Sequence, residues 1–181
     1  MNVEKNVENI LKEIDPNFPE RLLHKTSSRV ASAYDEFFDG YSKDKSEVIG
    51  SQFDSEMDDL IILKNIEFES HCEHHMVPII GHASVGYIPN EKIVGISKLA
   101  RIVDYFAHRF QLQERLTMEI AEMLQAWINP LGVAVYIEAE HFCISHRGVK
   151  KKDASMITRY FTGQLKSNPA KRNEFLMSVN D

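Results

Sequence analysis

Gly132-Val133-Ala134-Val135-Tyr136-Ile137-Glu138-Ala139-Glu140-His141-Phe142-Cys143 decides the fold. In an extended chain successive side chains point to opposite faces. Val133, Val135, Ile137, Ala139, His141 and Cys143 then share one face, and Tyr136, Glu138 and Glu140 share the other. That alternation predicts a half-buried strand over 132–143. Before it, Asn129-Pro130-Leu131 ends a helical pattern carried by Leu116, Ile120, Leu124 and Trp127. Leu99, Ile102, Val103 and Phe106 set up an earlier helix at spacings of three and four. Further upstream, Ile66 and Phe68 alternate with Asn65, Glu67 and Glu69 after the run Leu60-Ile61-Ile62-Leu63, which predicts another strand. It leads into Ser70-His71-Cys72-Glu73-His74-His75, and a partner strand follows over 77–88. After Cys143 the pattern predicts a strand over 155–165 and a helix over 169–179. At the other end, Val3, Val7, Ile10, Leu11 and Ile14 predict a first helix, and residues 20–38 a second, stopped by Asp39-Gly40. Residues 41–58 read as a polar loop.

The order is helix, helix, strand, strand, helix, helix, strand, strand, helix. It predicts an α+β fold: a four-stranded antiparallel sheet with helices packed on one face, preceded by N-terminal helices. Residues 1–58 are expected to form the helical region and 59–181 the functional part of a single structural unit. Such a sheet has two raw edges, and pairing them with neighbouring copies would cover them, so oligomerisation is expected.

A net charge of -6 argues against a nucleic-acid partner, which favours a broad basic face. It leaves room for a small anion held by a local cation cluster. No apolar run approaches the roughly 20 residues that cross a bilayer, so no membrane partner is expected. The start, Met1-Asn2-Val3-Glu4-Lys5, does not read as a secretory signal, and a soluble, cytoplasmic protein is expected.

The two cysteines, Cys72 and Cys143, lie close in sequence to histidines, which in such a setting points to metal or catalytic chemistry. Cys72-x-x-His75 places two soft ligands within one turn, the usual first half of a zinc site. Cys143 is the remaining cysteine. Three protein ligands leave one coordination position for water, as catalytic rather than structural zinc sites do. The plainer reading makes both cysteines buried small hydrophobes. The cluster His71-Cys72-Glu73-His74-His75 is poor core material, however, and His141 precedes Cys143 by two.

Gly95-Ile96-Ser97-Lys98-Leu99-Ala100-Arg101 marks a helix start, with Ser97 as the expected N-cap. Free N–H groups with Lys98 and Arg101 suit a phosphate; an ordinary capped helix with solvated cations fits equally. Arg147, four residues past Cys143, suits bidentate phosphate contact. Lys150-Lys151-Lys152 reads as a solvated run, and Arg29 carries the same ambiguity. Glu114, in Gln113-Glu114-Arg115, is either a helix-end charge or an acceptor for a guanine N–H edge.

Together these stretches resemble the GTP cyclohydrolase I family. The matching pieces, in order, are Cys72-Glu73-His74-His75-Met76-Val77-Pro78, Gly86-Tyr87-Ile88-Pro89-Asn90 and Gly95-Ile96-Ser97-Lys98-Leu99-Ala100-Arg101-Ile102-Val103. They continue with Gln111-Leu112-Gln113-Glu114-Arg115-Leu116-Thr117, Glu138-Ala139-Glu140-His141-Phe142-Cys143 and Arg147-Gly148-Val149. The resemblance implies zinc on Cys72, His75 and Cys143, and acid-base steps at His74 and His141. It implies guanine anchored by Glu114 with Gln113 beside it. It also implies ribose and triphosphate contacts from Ser97, Lys98, Arg101 and Arg147, with Arg29 lent by a neighbouring subunit. The implied reaction opens the guanine imidazole ring of GTP, releases formate and gives 7,8-dihydroneopterin triphosphate, the first step of tetrahydrofolate and pterin biosynthesis. The implied fold is the tunnelling fold, with sheets joined into a barrel in a toroidal homodecamer and active sites between subunits. Phe110, His82, His108, Ser145-His146 and residues 150–161 depart from the family pattern but touch none of the metal ligands.

Two other readings are compatible with the sequence. One is a non-catalytic, zinc-binding oligomeric scaffold of the same fold. The other is a different tunnelling-fold enzyme. Pyruvoyl-tetrahydropterin synthases bind zinc with three histidines, a set this chain lacks. The nitrile reductases of queuosine synthesis use a cysteine nucleophile, which zinc on both cysteines would preclude.

Overall fold

The structure, a computed structural model, describes residues 3–180. Residues 1, 2 and 181, included in the expected bounds 1–58 and 59–181, lie outside the described residues. The chain divides into two compact units, one up to Asp39 and one from Gly40. Residues 40–58 therefore group with the sheet rather than with the N-terminal helices.

The first unit is a helix pair, α1 (Val3–Ile14) and α2 (Glu20–Phe37). Their amphipathic stripes form as the sequence predicts.

The second unit opens with two short elements where a loop is expected, α3 (Lys45–Val48) and β1 (Gln52–Asp54). Asp44 caps α3 by accepting from the Ser46 amide at 2.7 Å. Next come β2 (Ile61–Cys72), β3 (Pro78–Ile88) and β4 (Lys92–Val94). After them run α4 (Ile96–Ala107), the two-residue β5 (Phe110–Gln111) and α5 (Gln113–Ile128). The chain continues through β6 (Gly132–His141), the single turn α6 (Phe142–Ser145), β7 (Met156–Phe161), α7 (Gly163–Ser167) and α8 (Pro169–Asn180).

The architecture is α+β. β2, β3, β6 and β7 form the expected antiparallel sheet, in order β2-β3-β6-β7. A fifth strand, β5, adds to the β2 edge in parallel, pairing His71 with Phe110 and Cys72 with Gln111. Two residues are too short for any periodicity to announce. β1 and β4 make a separate two-stranded ladder. A bulge between Leu63 and Ile66, with Asn65 at φ 57°, lets Ile66, Phe68, Ser70 and Cys72 all turn inward.

The main core lies between the sheet and α4 and α5. Leu116, Ile120 and Leu124 are fully buried there against Val133, Val135 and Ile137. Each such side chain contributes about 1.5–3 kcal/mol. The expectation of helices on one face alone is corrected. α8 covers the opposite face, where Phe175 packs with Ile88, Ala134, Tyr136 and Leu165. Gly86 makes that packing possible, because a Cβ there would stand 3.0 Å from the Phe175 ring. Among the described residues, no helix is long and apolar enough to cross a membrane.

Candidate metal centre

Strand direction brings the distant cysteines together. Antiparallel pairing sets His71 opposite Pro78 and Ile79 opposite His141. The end of β2, the start of β3 and the end of β6 therefore meet at one end of the sheet. Parallel pairing of β5 with β2 delivers the first turn of α5, with Gln113 and Glu114, to the same end.

Cys72 is the last inward-facing residue of β2 and is buried. The chain then turns tightly. The Cys72 carbonyl accepts from the amides of His75 at 3.3 Å and Met76 at 2.8 Å, and the Cys72 amide donates to Val77 O at 2.9 Å. Met76 closes this turn at φ 55°. His75 is thereby folded back, its Nδ1 3.7 Å from Cys72 Sγ. Cys143 is not on the strand as expected: β6 ends at His141, and Cys143 sits in α6. Both cysteines are free thiols.

One ligand atom each from Cys72, His75 and Cys143 lies within 4.8 Å of the others. Two sulfurs and an imidazole nitrogen on a tetrahedral ion would stand about 3.5–3.8 Å apart, given bonds of 2.0–2.3 Å. The donor set and its spacing thus fit a soft or borderline dication. Burial pushes the Cys143 thiol up from its ordinary value, and the Cys72 sulfur adds to the shift, while Arg147 pulls it down. A dication reverses that penalty by favouring thiolates. The group is buried at Cys72, half-buried at Cys143 and exposed at His75, so it opens to solvent on the histidine side.

His141 is half-buried, and burial lowers its pKa from the ordinary imidazole value, partly offset by the Glu114 carboxylate. Its Nε2 lies 2.7 Å from Gln113 Oε1. The Gln113 amide nitrogen donates to Met156 O at 2.9 Å, Thr158 Oγ1 at 3.1 Å and Ile137 O at 3.2 Å. Carbonyls only accept, so the amide orientation is fixed and Oε1 faces the imidazole. His141 Nε2 therefore carries the proton, and in the neutral ring Nδ1 remains the acceptor. Gln113, expected at the substrate, is 1% exposed and wholly engaged inside the protein. Its Oε1 holds His141. Glu114 is exposed beside it. His74 is also exposed, its ring nearly perpendicular to that of His75 at 6.2 Å.

Ser97, Lys98 and Arg101 do not join this cluster. β3 runs away from Pro78 for 11 residues, roughly 30 Å. Val94, two residues before α4, donates to Tyr87 Oη at 3.1 Å near the far end of β3. The first turn of α4 thus begins at the opposite end of the sheet from Cys72. Ser97 is not the N-cap: Gly95 holds that position, and Lys98 N bonds Gly95 O at 2.8 Å, so the helix starts two residues earlier than expected. Arg101 lines a cleft of about 240 Å³ with Lys43, Glu47, Val48 and Asp104. Arg147 is exposed, with its charge acting on Cys143. Arg29 is exposed on α2 in the first unit.

Sequence reasoning missed Thr158, Gln111 and Arg115 as parts of the site. Gln111 and Arg115 carried one signal, a spacing of four on the approach to α5. Thr158 carried none, because its role depends on the β6–β7 register.

A family model described as GTP cyclohydrolase I matches residues 3–180. A Brucella anthropi protein named GTP cyclohydrolase 1 is 49% identical over 161 residues, 87% of this chain and 76% of that protein. A Brucella canis protein of the same name is 49% identical over 159 residues, 87% of this chain and 75% of that protein. A solved structure described as the archaeosine synthase QueF-Like in the apo form aligns at TM-score 0.48 and 24% identity. It covers 57% of this chain and 93% of that one. The chain belongs to the GTP cyclohydrolase I family.

Proposed function

We propose that the second unit is a zinc-dependent catalytic domain that hydrolyses the guanine imidazole ring of GTP, giving formate and 7,8-dihydroneopterin triphosphate. The observation that carries this reading is the convergence of Cys72, His75 and Cys143 from two distant segments. These three residues hold the ion, and two thiolates with one imidazole favour zinc among divalent metals. When bound, zinc would supply Lewis acidity that acidifies a coordinated water.

The chain's own residues do the rest. Glu114 accepts hydrogen bonds from the guanine N–H edge, and its charge at the first turn of α5 suits the helix dipole. His74 delivers a proton to the departing ring nitrogen. His141, kept neutral by burial with its Nε2 proton fixed by Gln113, moves protons at the ribose as it opens and rearranges. Arg147 grips phosphate oxygens beside the centre. Ser97, Lys98 and Arg101 start at the far end of the sheet, so a neighbouring copy supplies them, as another supplies Arg29. The edge strand β7 offers an open ladder for such joining, in keeping with sheets assembled edge to edge into a tunnelling-fold barrel and a toroidal decamer. A cytoplasmic location suits two thiols that must stay reduced. The scaffold reading needs a closed site, whereas the group has three donors among the described residues.

Incubation of the purified protein with GTP tests the reading. Formate and a fluorescent oxidised pterin should appear in equal amounts and vanish with chelator. Unchanged GTP, or full activity without metal, would contradict it.

Gln113→Leu should lower kcat about tenfold at unchanged zinc content, because His141 Nε2 loses its acceptor. An unaltered kcat in steady-state assays would show that the amide does not set the imidazole. The paired thiols give another outcome. Chelated, air-oxidised protein should join Cys72 to Cys143 and become inactive, with reductant plus zinc restoring it. Peptide mapping that finds both thiols still free in the inactive protein would count against that route.

A further inference from the structure

We propose that Arg115, oriented by Gln111, is a positioning residue for the metal loop: it clamps Glu73 and so fixes the turn that presents Cys72 and His75. This rests on reading Cys72, His75 and Cys143 as a metal centre. The β2–β5 ladder ends where Cys72 pairs with Gln111, and the Glu73 amide adds one last bond to Gln111 O at 3.2 Å. From there to His75 the backbone is held by the tight turn on the Cys72 carbonyl. Glu73, between the two ligands, ties this turn to α5 through its side chain. Its carboxylate lies 2.5 Å from Arg115 Nη2.

An exposed ion pair usually contributes little, because two long side chains must be ordered to make it. Here the guanidinium is already ordered. Arg115 Nε donates to Gln111 Oε1 at 3.0 Å, and Nη2 donates to Phe110 O at 3.0 Å. Gln111 is itself 2% exposed, with its amide nitrogen donating to Phe106 O and Glu119 Oε2, both at 2.9 Å. The fixed chain of contacts therefore runs from α5 through β5 to the turn between two ligands. Groups that orient metal ligands in this way commonly change metal affinity by tenfold or more when removed.

The test is the rate of zinc release to a competing chelator from wild type, Arg115→Gln, Glu73→Gln and the double variant, with thermal unfolding recorded for each. Both single variants should release zinc about tenfold faster. The double variant should be no faster than either, since one contact is lost in all three. Arg115→Lys, which keeps the charge and loses the Nε bond to Gln111, should recover part of the difference. Glu73→Gln leaves every other Arg115 contact in place, so it reports even if Arg115→Gln fails to fold. Wild-type release rates in the folded variants, or additive effects in the double variant, would overturn the clamp. A wild type that binds no zinc would instead overturn the metal centre beneath it.

Discussion

Cys143→Ala protein is expected to lose its zinc and to turn over GTP at least about a thousandfold more slowly than wild type. Lewis-acid stabilisation by a bound ion supplies several kcal/mol of barrier lowering, and each 1.36 kcal/mol is a factor of ten. Removing one of three donors leaves Cys72 and His75, a pair too sparse to hold the ion against dilution. The loss should be chemical rather than structural. Cys143 is half-buried in the one-turn α6, at the margin of the core that Leu116, Ile120 and Leu124 build, so its truncation removes few buried contacts. Metal content by plasma mass spectrometry and kcat by pterin fluorescence check this together. Near-normal turnover with one zinc per chain would show that Cys143 is not a ligand.

The second large effect belongs to His141. His141→Ala should cut pterin formation about 10²–10⁴-fold while zinc content stays at the wild-type level. Position separates it from the ligands: its Nε2 bonds Gln113, and the Glu114 charge acts on it. Its environment favours the neutral ring, which is the form able to accept a proton. His74→Ala should give a loss of the same class, because a proton donor at the departing nitrogen is then missing. Both variants retaining near-wild-type rates with zinc bound would remove the acid-base assignments.

The contrast between these residues shows what the sequence carried. Cys72-x-x-His75 is a local motif, and a turn of four residues realises it whatever the rest of the chain does. Cys143 joins only because β3 lies between β2 and β6 in antiparallel order, a fact of topology that spacing along the chain does not encode. Alternation over 132–143 located β6 correctly but ran two residues past its end, since Phe142 and Cys143 fit a strand as well as a helical turn. Ser97, Lys98 and Arg101 were legible as a cationic helix start, yet the length of β3 decides that they stand far from Cys72 within one chain. Gln113 shows the other limit. Gln113 was expected beside the guanine anchor Glu114, and its burial under Ile137, Met156 and Thr158 follows only from the register of β6 and β7. α8 was legible as a helix, but the face it covers depends on the gap left at Gly86 for Phe175.

X-ray absorption at the zinc edge on the metal-loaded protein reads the centre directly. Two sulfur scatterers near about 2.3 Å and two lighter ones near about 2.0 Å, one histidine nitrogen and one solvent oxygen, are predicted, with one sulfur lost in Cys143→Ser. A shell filled by four protein ligands, or a spectrum that Cys143→Ser leaves unchanged, would contradict an open three-ligand site.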